Sequence, residues 1–282
     1  MKKDKRILTI QDISCVGQCS LTVALPIISA CGIETAILPS AVLSTHTGGA
    51  FTGFTFRDLT EDMPKIREHW EKMELSFDCL YTGYLGSVRQ MDYVRQIMDR
   101  VLEKGAPVIV DPAMADFGKL YEGFDEAFAK AMAGLCAHAD IILPNLTEAA
   151  FMTGLAYKEG VHETAYVDGL LENLSKLGAK YIVLKGISPE KDKIGIVTYD
   201  VASKTKKYYF TEKIPVTCHG TGDCFASAFT GAYMNGKDLY ESARIATDFV
   251  LECIQKTMDD PAHWYGVKFE KALPSLMRNV LS

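Results

Sequence analysis

Short apolar runs alternate with amphipathic stretches along almost the whole chain. Arg6–Ile13 (RILTIQDI), Thr35–Leu43, Asp78–Leu85, Pro107–Asp111, Asp140–Leu143 and Tyr181–Lys185 read as strands. Several are apolar at consecutive positions, the pattern of a parallel sheet covered on both faces. Between them, Glu61–Glu74, Arg89–Lys104, Gly123–His138 and His162–Leu177 read as helices. Strands alternating with helices of this length imply βαβ crossovers and a doubly wound sheet. The rhythm changes at Lys193: Lys193–Tyr199 and Lys206–Ile214 read as a hairpin around Asp200–Lys204, so one edge should be antiparallel. Helices at Asp223–Asn235, Leu239–Lys256 and Val267–Leu281 close the chain. No repeat or Pro/Ser-rich linker interrupts the pattern, which predicts one domain over residues 1–282.

One segment departs from this rhythm. Residues 44–56 (STHTGGAFTGFTF) are rich in Thr, Gly and Phe and lack an amphipathic period. They read either as a surface connection or as a small flap over a ligand, with glycines as hinges and aromatics as contact area.

Composition narrows the function classes. Of 282 residues, 48% are hydrophobic and 23% charged, which excludes a disordered chain and a disulfide-stapled miniprotein. A net charge of -6 argues against nucleic acid as partner, since phosphate neutralisation needs a basic footprint. No apolar run approaches the ~20 residues that span a bilayer, and the opening Met-Lys-Lys-Asp-Lys-Arg leads into a strand rather than a secretory segment. Eight cysteines without paired metal spacing suggest reduced thiols and a cytoplasmic protein.

The candidate chemistry lies in Val216–Phe229 (VTCHGTGDCFASAF). Gly220, Thr221 and Gly222 precede apolar positions at Phe225, Phe229 and Ala232 that share one helix face. A glycine turn opening a helix presents successive N–H groups and the positive end of the helix dipole, a natural seat for phosphate. Asp223, in the first turn, reads either as a helix cap or as the base that deprotonates an attacking hydroxyl. No G-x-x-x-x-G-K-[ST] loop is present.

Gly220-Thr221-Gly222-Asp223 resembles the signature of the ribokinase superfamily. Ile7–Gly17 (ILTIQDISCVG), Leu43–Gly48 (LSTHTG), Thr82–Ser87 (TGYLGS), Val110–Met114 (VDPAM) and Pro144–Glu148 (PNLTE) resemble pyridoxal kinases in order and spacing. The match runs from about residue 6 to about residue 250 and implies a ribokinase-like α/β fold with a mostly parallel central sheet and helices on both faces. It also implies ATP-dependent phosphorylation of the 5′-hydroxymethyl of pyridoxal, pyridoxamine or pyridoxine, the chemistry of vitamin B6 salvage.

By this resemblance Asp223 is the base, and the amides of Gly220, Thr221 and Gly222 form the anion hole for the γ-phosphoryl group. Asp111, Asn145, Glu148 and Lys185 fall at nucleotide-site positions, and Asp116 with Glu148 at positions that hold Mg2+. Magnesium takes few carboxylates alongside waters and phosphates, so scattered acids suit it. Taken singly, each of these acids reads as a cap or a solvated charge, Asn145 as a turn residue, and Lys185 as a solvated strand end. Thr47 and Tyr84 match vitamin contacts, although Tyr84 also reads as a core aromatic; His46 is a secondary candidate in the flap. A homodimer and a K+-like monovalent cation are implied by the resemblance alone.

Two departures stand out. Asp12 occupies the place where pyridoxal kinases usually carry serine; a carboxylate there could pair with a ring nitrogen or the pyridoxamine ammonium. Cys218-His219 before the glycine turn resembles hydroxymethylpyrimidine kinases of thiamine synthesis, although those commonly carry cysteine where Asp223 stands. Cys218 reads as a small packed residue or an aldehyde contact, and Cys224 as helix packing. A hydroxymethylpyrimidine kinase, a sugar kinase and a pyridoxal phosphate-binding protein without turnover are the alternatives.

Overall fold

The computed structural model describes residues 4–282; of the N-terminal run that the sequence reading used, residues 1–3 lie outside the described residues. The fold is the expected one, α/β with a large, mostly parallel sheet and an antiparallel edge. By packing, the chain divides into two compact units. One comprises the chain up to Ala106 together with Ile214–Ser282, and the other comprises Pro107–Lys213.

The first unit begins with β1 (Arg6–Ser14), α1 (Leu21–Ala30) and β2 (Glu34–Leu43). Strands β1 and β2 pair in parallel, as the crossover through α1 requires. Then come β3 (Phe56–Asp58), α2 (Met63–Lys72), β4 (Cys79–Thr82) and α3 (Val88–Arg100). Strand β1 is central, parallel to β4 on one side and to β2 on the other, while β3 runs antiparallel along β2. Ile7, Leu8 and Ile10 of β1 are wholly buried on alternating faces, each removal from water contributing about 1.5–3 kcal/mol. After Val42 pairs with Ile13 the register has slipped by one residue relative to Gln11 and Pro39. This irregularity falls at Asp12, and such bulges re-aim side chains at strand ends.

The second unit carries β5 (Val108–Val110), β6 (Ala115–Asp116), β7 (Lys119–Leu120), α4 (Glu126–Cys136), β8 (Ile141–Ile142), α5 (Leu146–Thr153) and α6 (Thr164–Ser175). Strands β9 (Tyr181–Ile187), β10 (Lys193–Asp200) and β11 (Thr205–Glu212) follow. Here β5, β8 and β9 are parallel, whereas β9–β10–β11 is an antiparallel meander, the edge that the sequence pattern predicted. The chain returns to the first unit for α7 (Thr221–Met234), α8 (Leu239–Thr257) and α9 (Leu273–Leu281).

Several elements differ from the sequence expectation for identifiable reasons. Helix α1 was not predicted, because LTVALPIISA shows little periodicity and holds Pro26 in its interior. An interior proline usually costs about 3 kcal/mol; burial of Val23, Ala24, Ile27 and Ile28 offsets it. Helix α5 was missed because it has 8 residues and its first five are all buried, which leaves no amphipathic period. The strand expected over Asp78–Leu85 ends at Thr82, where Gly83 leaves the ladder after one bond to the Ile10 carbonyl. The helix expected from Val267 starts at Leu273, preceded by a 3-10 turn at Phe269–Lys271.

Among the described residues the cysteines are free thiols, no helix is long and apolar enough to cross a membrane, and no cluster of three or more His, Cys, Asp or Glu is arranged to hold a metal ion by itself.

Candidate functional site

In the first unit the site is built where the loop after β1, the glycine turn before α7 and the segment after β2 come together. Helix α7 starts at Thr221 rather than Asp223, with Gly220 as its N-cap in the left-handed conformation (φ 77°). A Cβ on Gly220 would lie 1.7 Å from the Gln18 carbonyl oxygen, so glycine is required here by both backbone angle and space. No side chain caps this helix start, which leaves the turn's N–H groups available for an anion.

Asp223 is half-buried, and its Oδ2 accepts a hydrogen bond from the backbone N–H of Ser20 at 3.0 Å. The carboxylate is therefore tied to the N-terminus of α1 rather than serving as the N-cap of its own helix. Ser20 sits at φ 55°, ψ -132°, a region that glycine tolerates and other residues enter at a cost of about 1–3 kcal/mol. Asp12 is buried on the end of β1 and accepts from the Ser14 hydroxyl at 2.9 Å and from the Ser20 side chain. Burial pushes its carboxyl above the ordinary range, and those hydrogen bonds oppose the shift. Burial likewise raises the Cys19 thiol, with the Asp223 and Asp12 carboxylates adding to the effect. Tyr84 is pushed up to about 12, first by burial and then by Asp12 and Asp58, so its hydroxyl keeps its proton.

The Thr- and Gly-rich segment is a hairpin excursion between β2 and β3, closed at its base by Ser44 N–H donating to the Thr55 carbonyl (3.1 Å). Its tip is held by rings. His46 lies 4.9 Å from Phe51 and 5.0 Å from His219 between centroids, and Phe51 lies 4.6 Å from Trp264. His46 Nε2 donates to the Tyr265 carbonyl (2.8 Å), and its Nδ1 accepts from the Gly48 N–H (3.0 Å). That pair of bonds selects the neutral imidazole, and burial lowers its pKa. Thr47 is exposed beside this cluster. His219 thus acts as a platform under Gly48 and Gly49, where an added Cβ would come within 2.8 and 3.1 Å of its ring. Cys218 is half-buried and burial raises its thiol pKa, so it is not poised as a thiolate.

The second unit gathers the other predicted residues. Lys185 Nζ bonds both Asp111 oxygens at 2.9 Å, with side-chain exposures of 13% and 5%. Asn145 and Glu148 form a reciprocal capping box at the start of α5: Asn145 Oδ1 accepts from Glu148 N–H (2.9 Å) and Glu148 Oε2 from Asn145 N–H (2.7 Å). Glu148 Oε1 accepts from Met114 N–H (3.4 Å), and Asn145 Nδ2 donates to the Ala115 carbonyl (2.8 Å). These bonds pin the β6–β7 hairpin, which presents Asp116 to solvent. Burial, and then the charge of Asp111, pushes the Glu148 carboxyl well above its ordinary value. Burial also raises Asp111, opposed by the Lys185 ammonium.

The structure therefore brings Asp12, Tyr84, Gly220, Thr221, Gly222 and Asp223 into the first unit with the Thr47 hairpin, and Asp111, Asp116, Asn145, Glu148 and Lys185 into the second. Ser20, His219 and Trp264 were not singled out as site residues by sequence reasoning. Ser20 left a usable signal, a serine just ahead of an apolar run, which marks a helix start, and His219 stood out only as part of the Cys218-His219 pair before the glycine turn.

The sequence profile of the phosphomethylpyrimidine kinase family matches residues 64–266. The hydroxymethylpyrimidine/phosphomethylpyrimidine kinase of Bacillus subtilis is 28% identical over 190 residues, which span 66% of this chain and 66% of that enzyme's own length. A protein of Bacteroides thetaiotaomicron assigned to the phosphomethylpyrimidine kinases and solved with pyridoxal superposes with a TM-score of 0.90 at 36% identity, covering 97% of this chain and 96% of that one. The pyridoxal kinase of Lactobacillus plantarum superposes with a TM-score of 0.88 at 30% identity, covering 97% of each chain. Relatives named for the pyrimidine and for the pyridine thus stand at similar identity, around a shared ribokinase-like fold. On the profile match and these full-length likenesses, the chain belongs to the phosphomethylpyrimidine kinase family.

Proposed function

We propose that this kinase transfers the γ-phosphoryl group of ATP to the 5′-hydroxymethyl of a B6 vitamer. The observation that carries the reading is an aspartate, Asp223, fixed beside an uncapped glycine turn at the start of α7. A base next to a bank of N–H groups is what phosphoryl transfer to an alcohol needs. Preference for the pyridine ring is supported by the 36%-identical neighbour solved with pyridoxal and by the pyridoxal kinase at 30% identity.

In this reading Asp223 takes the hydroxyl proton as the oxygen attacks phosphorus. The amides of Gly220, Thr221 and Gly222 stabilise the growing charge, each donor in comparable anion holes being worth about 3–4 kcal/mol. Asp12, Thr47 and Tyr84 contact the ring, Tyr84 as a hydrogen-bond donor at neutral pH. Asp111, Asn145, Glu148 and Lys185 serve the nucleotide. Exposed Asp116 offers oxygen donors of the kind Mg2+ accepts when phosphates and waters complete its shell. Glu148, whose oxygens already accept backbone N–H bonds, would reach the ion through water, and the metal would neutralise phosphate charge. Their fit rests on that donor chemistry, since the described residues hold no ready-made cage. A monovalent cation, a cytoplasmic location and a homodimer belong to the same proposal.

Hydroxymethylpyrimidine is the second substrate to weigh, supported by the family profile and by the B. subtilis relative. ADP release with Mg-ATP against pyridoxal, pyridoxamine, pyridoxine and hydroxymethylpyrimidine separates the readings. Turnover of the pyridines is the expected result; turnover of the pyrimidine alone would move the enzyme to thiamine metabolism. No turnover with any ring would remove the proposal. Asp12→Ser should lower the pyridoxamine-to-pyridoxal ratio of kcat/KM, and an unchanged ratio would take Asp12 out of vitamer selection.

A further inference from the structure

We infer that Ser20 is a positioning residue for Asp223, and that the loop Cys15–Ser20 is the bracket that sets the carboxylate. The inference rests on the base role of Asp223 given above. Three observations lead to it. First, Ser20 is the N-cap of α1, yet its side chain makes no capping bond to its own helix. Serine at this position ordinarily accepts from the second or third N–H of the helix. Here the side chain bonds Asp12, and the backbone N–H points at Asp223 Oδ2 (3.0 Å). Secondly, that division of labour requires φ 55°, ψ -132° at a residue with a Cβ, a conformation that persists only where its surroundings over-determine it.

Thirdly, the surroundings do over-determine it. A Cβ on Gly17 would meet His46 Cδ2 at 2.1 Å, one on Gly220 the Gln18 carbonyl at 1.7 Å, and one on Gly266 the Gln18 side chain at 2.3 Å. The loop is thus pressed against the hairpin tip, the glycine turn and the segment before α9. Further bonds hold it there: His46 N–H to the Val16 carbonyl (3.1 Å), and Gln18 Nε2 to Glu270 Oε1 (3.0 Å). The glycine turn and the base are consequently gripped by the same six residues, one through Gln18 and the other through Ser20. Titratable groups beside this point include Asp12 from β1, Cys19 from the loop and Cys224 from α7, with Cys253 of α8 next to Cys224; the Asp223 charge is felt by both the Cys19 and the Cys224 thiols.

The test compares Ser20→Ala, which loses the side-chain bond to Asp12 and keeps the strained backbone, with Ser20→Gly, which loses the same bond but accepts the conformation. The backbone N–H that reaches Asp223 is present in both, so each variant reads how firmly the bracket aims it. Misplacement of a reacting group by about 1 Å lowers turnover by about 100-fold. Ser20→Ala should therefore lower kcat roughly 10- to 100-fold, with Ser20→Gly intermediate. The KM for ATP should stay within roughly threefold, since none of the residues proposed for the nucleotide bonds Ser20. The acidic limb of the kcat–pH profile should move to higher pH in both variants, because a loosened bracket weakens the Ser20 N–H bond to the Asp223 carboxylate. A wild-type kcat and acidic limb in both variants would overturn the inference. So would a fall in kcat that only tracks a fall in Tm, with the limb unmoved. If Ser20→Ala does not fold, Ser20→Gly decides alone, and an acidic limb at the wild-type position overturns the inference. Asp223→Asn assayed alongside separates the two levels. If it keeps full turnover the base role itself fails; if it is inactive while the Ser20 variants are normal, only the bracket fails.

Discussion

The two units hold their acids in opposite ways. In the first, Asp223 is half-buried, and its bond to the Ser20 N–H comes from a neutral donor. In the second, Asp111 is buried against an ammonium, and both oxygens of Glu148 are occupied by backbone N–H groups. The base role proposed for Asp223 calls for an accessible lone pair held in a fixed direction. The nucleotide role proposed for Asp111 and Glu148 gains more from immobility. The contrast also locates vulnerability: losing a partner in the second unit strands a buried charge, whereas losing one in the first mis-aims a side chain.

The largest expected effect breaks the first half of the comparison. Asp223→Asn preserves size and the Ser20 contact but removes the proposed base, and should lower kcat about 100- to 10,000-fold. ATP-analogue affinity by calorimetry should stay within error, and full activity would strike Asp223 from the mechanism. Next, Lys185→Ala leaves Asp111 buried without its ammonium. Breaking a buried pair on one side costs about 3–5 kcal/mol, readable as a lower urea midpoint with an unchanged m-value; a cost below about 1 kcal/mol would mean that the pair is solvated in solution. Gly220→Ala sharpens the picture of the turn. With a Cβ driven onto the Gln18 carbonyl and φ at 77°, it should lose at least about 1 kcal/mol of stability and most of its turnover.

The smallest effect is a pH signature confined to the first unit. His46 is buried neutral, so its folded pKa lies below the ordinary 6.5. Its contribution is complete above pH 6.5 and is lost as pH falls through the folded value. Asp12 has the opposite sign: its folded pKa is raised above 3.8, so its contribution is present below that value and is lost as pH rises through the folded pKa. Tm measured from pH 8 to pH 5 should therefore fall more steeply in the wild type than in His46→Gln. Parallel curves would show that His46 titrates normally in the fold.

Much of this was legible along the chain. Apolar runs at Ile7–Ile10, broken only by Thr9, and at Ile182–Leu184 announced strands buried on both faces, and the change of rhythm after Lys193 announced the antiparallel edge. Those signals are local, because a strand's side-chain period is written in consecutive residues. Helix α1 was hidden because tertiary burial, rather than periodicity, stabilises a helix with Pro26 inside it. In the site, Gly220–Asp223 could be read from sequence because a glycine turn and a helix start are contiguous. The grip of Ser20 on Asp223 spans 203 positions, and no spacing rule reaches that far.

What the amino-acid order determined by itself was the set of elements and the residue types at the strand ends: the βαβ rhythm, the glycine turn, and the acids and the lysine. Only the tertiary structure decided their states. It placed Lys185 on Asp111, occupied Glu148 with backbone donors, and turned the Ser20 N–H onto the Asp223 carboxylate. The physical reason is that propensity and periodicity act over a few residues. Charge state, strain and hydrogen-bond partnership instead depend on which distant backbone comes within about 3 Å.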